Sequence, residues 1–247
     1  CDGADESCDG RFAPALPCPV NGPAGACGVG AQLCDDAHGK FGACLPIEFP
    51  HPLDPALCDV LDHHGHEVAH SPRAVLKRQV KRLEAMGLKA CMATELEFFL
   101  FDQSYADASA CGYRDLKTAS SYNEDYHIFQ TTKEEPVMRA LRKQLMASGI
   151  PVENSKGEWG PGQEEINVKY ADALTMADRH VVIKNATKEI AYLQGKAVTF
   201  MAKWDFGLAG SSSHIHMSLA KAGKNQFVDA KDELGMSPMM KHYVAGL

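Results

Sequence analysis

The stretch that most restricts the fold is Lys89 to Phe101, KACMATELEFFLF. Its length and aromatic content are those of a β-strand, and alternation then puts Glu95, Glu97 and Phe99 on one face and Leu96, Phe98 and Leu100 on the other. Two carboxylates about 4 Å apart repel by about 4 kcal/mol at an effective dielectric near 20, so a sheltered strand does not keep both ionised without a compensating cation. The competing arrangement leaves the acidic face in solvent. The run Phe98-Phe99-Leu100-Phe101 argues against it.

A second acidic pair lies in Gly157 to Val168, GEWGPGQEEINV. Glu158 precedes a Gly-Pro-Gly turn and Glu165 follows it, so the chain reverses and brings both carboxylates to one locus, with Glu164 facing away. A third feature is KAVTFMAKWDFGLAGSSSHIHMS, residues 196–218. Residues 197–201 read as a short apolar strand and 207–213 as a Gly/Ser-rich loop able to approach a ligand closely. In the strand that follows, His214, His216 and Ser218 share one face, and Ile215, Met217 and Leu219 form the core face. Two imidazoles at this spacing suit metal ligation, phosphate contact or a structural hydrogen bond equally well. Together with Glu95, Glu97, Glu158 and Glu165, they make a set of hard oxygen donors plus imidazole, better suited to Mg2+ or Mn2+ than to a thiolate-rich zinc site.

Three helices form the scaffold. Ser71-Pro72 reads as an N-cap with proline at the first helical position, Val75, Leu76, Val80 and Leu83 make one apolar face, and Gly87 closes the helix. A second helix is expected over 135–149, with Pro136 at its start and Val137, Leu141 and Leu145 on one face. The third runs from about Asp172 to Gln194, with Ile183, Ala186, Ile190 and Leu193 at helical spacing. Ahead of them, residues 56–61 and 66–69 read as short strands around the turn Asp62-His63-His64-Gly65. No acid or Cys stands at ligand spacing from these histidines, so they are taken as a polar hairpin tip.

Composition divides the chain near residue 50. Six of the nine cysteines lie in the first segment, and their spacing repeats: Cys1-x6-Cys8-x9-Cys18, then Cys27-x6-Cys34-x9-Cys44. Apolar periodicity is absent there, so residues 1–50 are expected to be irregular, held by cross-links or metal or else disordered. CDGADESCDG resembles the CDGxDxDCDG repeats of secreted bacterial cysteine-rich proteins, whose acids suggest calcium. Residues 56–247 pattern as an α+β domain with a mainly antiparallel sheet and flanking helices. The net charge of −7 argues against nucleic acid, and no uncharged run reaches the length of a membrane span. With residue 1 a Cys, the chain is expected to be a fragment.

ATELEFFLF, GEWGPGQEEINV, the long helix after it and KAVTFMAKWDFGLAGSSSHIHMS occur in the order found in glutamine synthetases and γ-glutamyl-amine ligases. The resemblance covers residues 57–247. It implies a cytoplasmic, homo-oligomeric, ATP-dependent ligase that phosphorylates the γ-carboxylate of glutamate and passes it to ammonia or an amine, with Mg2+ or Mn2+ on the phosphates. By the same resemblance Glu97, Glu158 and Glu165 hold one metal at the reaction centre, and Glu95 and His214 belong to a second. His216, Ser218, Glu153 and Tyr170 contact the nucleotide. Ala209-Gly210 stands where many members have Asn-Gly, so a contact to the substrate's amino group comes from backbone near Gly210. The family also draws arginines and a further metal-binding Glu from sequence beyond position 247, and a small β-rich domain from before the catalytic one. The isolated chain is therefore expected not to turn over. Two other classes fit parts of the sequence: a metal-dependent hydrolase using the His-x-His strand, and a non-catalytic secreted metal-binding protein suggested by residues 1–50.

Overall fold

The computed structural model describes the backbone of residues 18–21, 27–35 and 40–46 and all residues from 57 to 247. Contacts divide the chain into two units, Cys1–Phe49 and Pro50–Leu247. In the first, β1 (Cys18–Asn21), β2 (Cys27–Asp35) and β3 (Lys40–Pro46) form an antiparallel sheet in that order, with a register shift between Gln32 and Cys34. These strands replace the irregular chain expected from composition; their ladder is made of backbone hydrogen bonds, which need no apolar periodicity to form. The cross-links or metal expected among its cysteines lie outside what the structure describes.

The second unit begins with a turn rather than a hairpin. One bridge, Leu61 to Glu67, stands where two strands were expected, with Asp62 Oδ1 accepting from the backbone N–H groups of His64 and His66 at 2.9 Å each. Val60 and Leu61 are more than half exposed, so the segment has no buried face to extend its pairing. Helix α1 (Pro72–Ala85) follows, with proline in its first turn as expected, though Ser71 caps by backbone geometry without a side-chain bond. Its expected face is only partly used. Val75 is exposed, while Leu76, Val80 and Leu83 rest against a core of Leu88, Ala90, Ala173, Leu219 and Phe227.

Strand β4 (Lys89–Phe101) is the spine of the sheet. After it come α2 (Tyr105–Ala110), α3 (Ile128–Ala147), the strands β5 (Val152–Gly157), β6 (Gln163–Val168) and β7 (Ala171–Asp172), and α4 (Ala173–Leu193). The chain ends with β8 (Ala197–Thr199), β9 (Ser213–Lys221), β10 (Lys224–Asn225) and α5 (Pro238–Ala245). The sheet order is β10-β9-β4-β6-β5, with β7 and β8 also pairing to β4, and every pairing is antiparallel.

Helix α3 starts seven residues earlier than expected, so Pro136 lies inside it rather than in its first turn. His127 caps it, its ring accepting from the Gln130 N–H at 3.4 Å, and histidine is not a residue that announces an N-cap in sequence. Proline removes one donor from the helix interior. Thr131 and Thr132 donate their hydroxyls to the Ile128 carbonyl one turn earlier. Helix α4 runs as expected, capped by Asp172, with Ile183, Ala186 and Ile190 buried.

Candidate metal centre

Pairing register assembles the site. Along β4, Glu95 lies opposite His214 of β9 and Glu97 opposite Glu165 of β6. The β5–β6 hairpin turns through residues 158–162, where the Glu158 N–H donates to the Gln163 carbonyl at 2.7 Å, placing Glu158 beside Glu165. Two clusters result: Glu95, Glu97 and His214, and Glu97, Glu158 and Glu165. Within each, ligand atoms lie within 4.8 Å of one another, and Glu97 belongs to both.

Burial grades across the two. Glu165 is 1% exposed and Glu97 8%, whereas His214 is open to solvent. Burial, with the neighbouring Glu165 charge added, pushes the Glu158 carboxyl up to about 7. Burial also acts against ionised Glu95, but its hydrogen bonds with His216, whose Nε2 lies 3.1 Å from Oε2, and with Glu165 leave it below the usual glutamate range.

One cation already stands among these acids. Lys156, opposite Glu165 on the hairpin, donates its ammonium to Glu165 Oε1 and lies 3.7 Å from Glu158 Oε1. Burial opposes that charge, yet the bond to Glu165 and the fields of Glu165, Glu158 and Glu95 hold its pKa above the ordinary lysine value. Oxygen donors at contact spacing, one imidazole and an ammonium drawn among them are the chemistry of a hard divalent-cation site, so the residues present fit Mg2+ or Mn2+.

Gln163 is a site residue that the sequence reading missed. Its Nε2 donates to Glu97 Oε2 at 3.0 Å and to the Gly210 carbonyl at 3.0 Å, while its Oε1 accepts from the Gly160 N–H at 2.8 Å. Glu97 Oε2 also accepts from the Ser212 N–H at 2.9 Å, and Glu97 Oε1 from the Ser212 hydroxyl. One amide thus ties the 207–213 loop to the hairpin and aims Glu97. Its position opposite Phe99 on β6, on the same side as Glu165, was the only signal available.

Glu164 does face away from Glu165, but into a second acidic cluster rather than into solvent. With Glu124 and Glu134 it forms a group whose members are at most 2% exposed. Burial, together with Glu124 and Glu134, raises Glu164 well above the usual value. Burial, with the Glu134 charge, pushes Glu124 up to about 7. Carboxyls so raised hold protons near neutrality and need no metal to stay neutral.

His216, which pairs with Glu95, lines a cavity of about 430 Å3 with Ser218 and Tyr170, together with Cys91, Met92 and Asn225. Glu153 does not line it and stands exposed on β5. Gly210 is exposed, its carbonyl taken by Gln163. Ile215, expected on the core face of β9, is 63% exposed, because the core formed with α1 and α5 covers this strand only near Leu219. The His63 and His64 rings lie 3.8 Å apart, tilted at 44°, and belong to neither cluster.

Residues 69–247 match the sequence profile of the glutamine synthetase catalytic domain. The chain is 42% identical over 192 residues to the γ-glutamylethanolamide synthetase of Streptomyces coelicolor, covering 77% of this chain and 41% of that protein. It is 36% identical to the glutamate–isopropylamine ligase of a Pseudomonas species, and 37% to the glutamine synthetase of Thermus thermophilus, with 77% of this chain and 42% of each relative covered. The chain thus spans about two-fifths of the length of the curated relatives it matches. Among solved structures, a GmaS–ADP complex superposes with a TM-score of 0.67 at 30% identity, over 76% of this chain and 42% of that one. The Plasmodium falciparum glutamine synthetase, at 24% identity and a TM-score of 0.62, shares the fold over 76% of this chain and 42% of its own.

Proposed function

This chain belongs to the glutamine synthetase family through its catalytic domain, and on that premise we propose that it forms part of an ATP-dependent ligase that joins the γ-carboxylate of glutamate to an amine. The observation that carries the proposal is the register of β4: Glu95 against His214 and Glu97 against Glu165, giving two ligand clusters that share Glu97. Phosphoryl transfer to a carboxylate needs oxygen charge held and neutralised more than it needs a nucleophilic side chain, and adjoining hard-cation sites meet that need.

In this reading Glu97, Glu158 and Glu165 hold one Mg2+ or Mn2+ and Glu95 with His214 a second. The ions, when bound, neutralise phosphate oxygens and the acyl oxygen they meet. His216 and Ser218, with Tyr170, form the wall against which the nucleotide lies, and Glu153 lies farther out. Backbone near Gly210 faces the amino group of glutamate. Gln163 and Ser212 keep Glu97 aimed. The acceptor is a primary amine or ammonia; the names of two relatives, an ethanolamide synthetase and an isopropylamine ligase, favour an amine. Assembly into a homo-oligomer, as in the family, is part of the same proposal.

The test grafts residues 69–247 into the Streptomyces coelicolor relative in place of the matching stretch and follows ADP release with glutamate and a panel of amines. ADP release that requires both glutamate and an amine is the expected result. Amide or ester hydrolysis without ATP overturns it in favour of a hydrolase. The isolated chain is expected to bind Mn2+ without turning over.

A further inference from the structure

Among the described residues of the candidate site, Lys156 brings an ammonium, opposite in sign to the carboxylates around it. It is held there by register, since it faces Glu165 across the β5–β6 pair, so its position does not depend on loop conformation. Its ammonium meets Glu165 Oε1, lies 3.7 Å from Glu158 Oε1 and feels the charge of Glu95. These are the oxygens assigned above to the first metal. A divalent ion on them would stand within contact distance of the ammonium, and the two cations would repel.

In the same position the ammonium also meets an aromatic ring, which stays within its reach when the carboxylates are taken. The Tyr126 ring centroid lies 5.6 Å from Lys156 Nζ, at cation–π distance, and the ring is 60% exposed. That ring is positioned by unusual backbone. Asp125 and Tyr126 both have positive φ, 32° and 64°, an arrangement that costs non-glycine residues of order 1 kcal/mol each. The Asp125 N–H donates to the Glu158 carbonyl at 2.9 Å and the Tyr126 N–H to the Gly157 carbonyl at 3.2 Å, fastening the strained turn to the strand end that carries Lys156 and Glu158.

We propose that Lys156 is an exchangeable internal cation, which neutralises the first metal's carboxylates until a divalent ion takes its place and leaves the ammonium to the exposed Tyr126 ring that it already meets. The inference rests on the metal-site assignment and extends it: Lys156 sets the affinity threshold of the site and keeps the acid cluster folded when metal is scarce. No bond is made or broken, and the exchange is of one cation for another.

Calorimetric titration of the 247-residue chain with Mn2+ tests it. Lys156→Gln is expected to bind Mn2+ about 10-fold more tightly or better, because the competing charge is gone. Lys156→Arg keeps a cation and stays near or below wild-type affinity. Tyr126→Leu removes the ring that holds the displaced ammonium and weakens binding about 3-fold, whereas Tyr126→Phe keeps a ring and leaves it unchanged. A thermal melt supplies the readout that a merely structural lysine would not give: Lys156→Gln lowers the melting temperature without metal but not with saturating Mn2+. Equal or weaker Mn2+ binding by Lys156→Gln, alongside a clear loss in Glu165→Gln, overturns the exchange and leaves the site assignment standing. Unchanged binding in Glu165→Gln overturns the site assignment itself and the exchange with it.

Discussion

Glu97 and Glu165 stand opposite each other across the β4–β6 pair, and their facing carboxylates, both under 10% exposed, form the junction of the whole site. Non-adjacent strands of the sequence are thereby set side by side with an error of less than one residue, since a slip of one would turn Glu165 to the far side and Glu164 to the near.

Glu165→Gln is expected to weaken Mn2+ binding at least about 10-fold, from loss of one charged ligand near the other two. Replacing His63 and His64 together by Ala should leave affinity unchanged, because those rings lie outside both clusters. Isothermal titration of both variants decides the matter, and the reverse pattern would move the metal to the turn at residues 62–65.

Gln163→Ala should cost about 1–3 kcal/mol in stability by leaving Glu97 and the Gly210 carbonyl short of a donor. Hydrogen exchange should then rise selectively in residues 209–213, and Mn2+ affinity should fall even though no ligand was removed. Uniform exchange across the domain would instead mark Gln163 as ordinary core.

The buried acids behind the hairpin give a pH signature. Glu124 has a folded pKa of about 7 against an ordinary glutamate value of 4.5, so the folded protein keeps a proton that the unfolded chain releases in between. Its contribution is fully present below the unfolded value and is lost as pH rises through about 7. Glu124→Gln should therefore stabilise the protein at pH 8, by up to about 3 kcal/mol, and bring no gain at pH 5. Urea unfolding in chelator at the two pH values measures it; equal effects at both would refute the shift.

Gly157→Ala is expected to destabilise the domain by about 1–3 kcal/mol. An added Cβ would meet Glu124 Oε2 at 2.6 Å and Thr131 Cγ2 at 2.8 Å, so the hairpin and α3 could not both keep their places. A thermal melt of the variant is the check, and an unchanged midpoint would mean that this packing is looser than described.

Much of the site was legible because it lies on strands. Period-two alternation put Glu95, Glu97 and Phe99 on one face, and the Gly-Pro-Gly turn paired Glu158 with Glu165; both arrangements are local, and short-range geometry suffices to read them. Helix starts were legible where Ser71-Pro72 and Asp172 supplied their usual signals, and not at α3, where a histidine caps and a proline sits inside. The buried trio Glu124, Glu134 and Glu164 was illegible because its members come from three separated segments and nothing in acidic residues marks them as buried together. Lys156 and Gln163 escaped notice for a related reason. Each looked like solvent-facing strand polarity until the neighbouring strand supplied its partner.

The β5–β6 hairpin carries Glu158, Glu165 and the ammonium that neutralises them on one short length of chain. Lys156 and Glu165 are nine residues apart, whereas Glu95 and His216 are separated by 121. Closing the short loop takes far less chain entropy than closing the long one. During folding, then, Glu158 and Glu165 can acquire their counter-charge as soon as the hairpin forms, before β9 brings His214 to Glu95. A nascent chain emerging with this hairpin already neutralised has less electrostatic self-repulsion to overcome when β4 and β6 meet. The spacing of the charges favours that order of assembly.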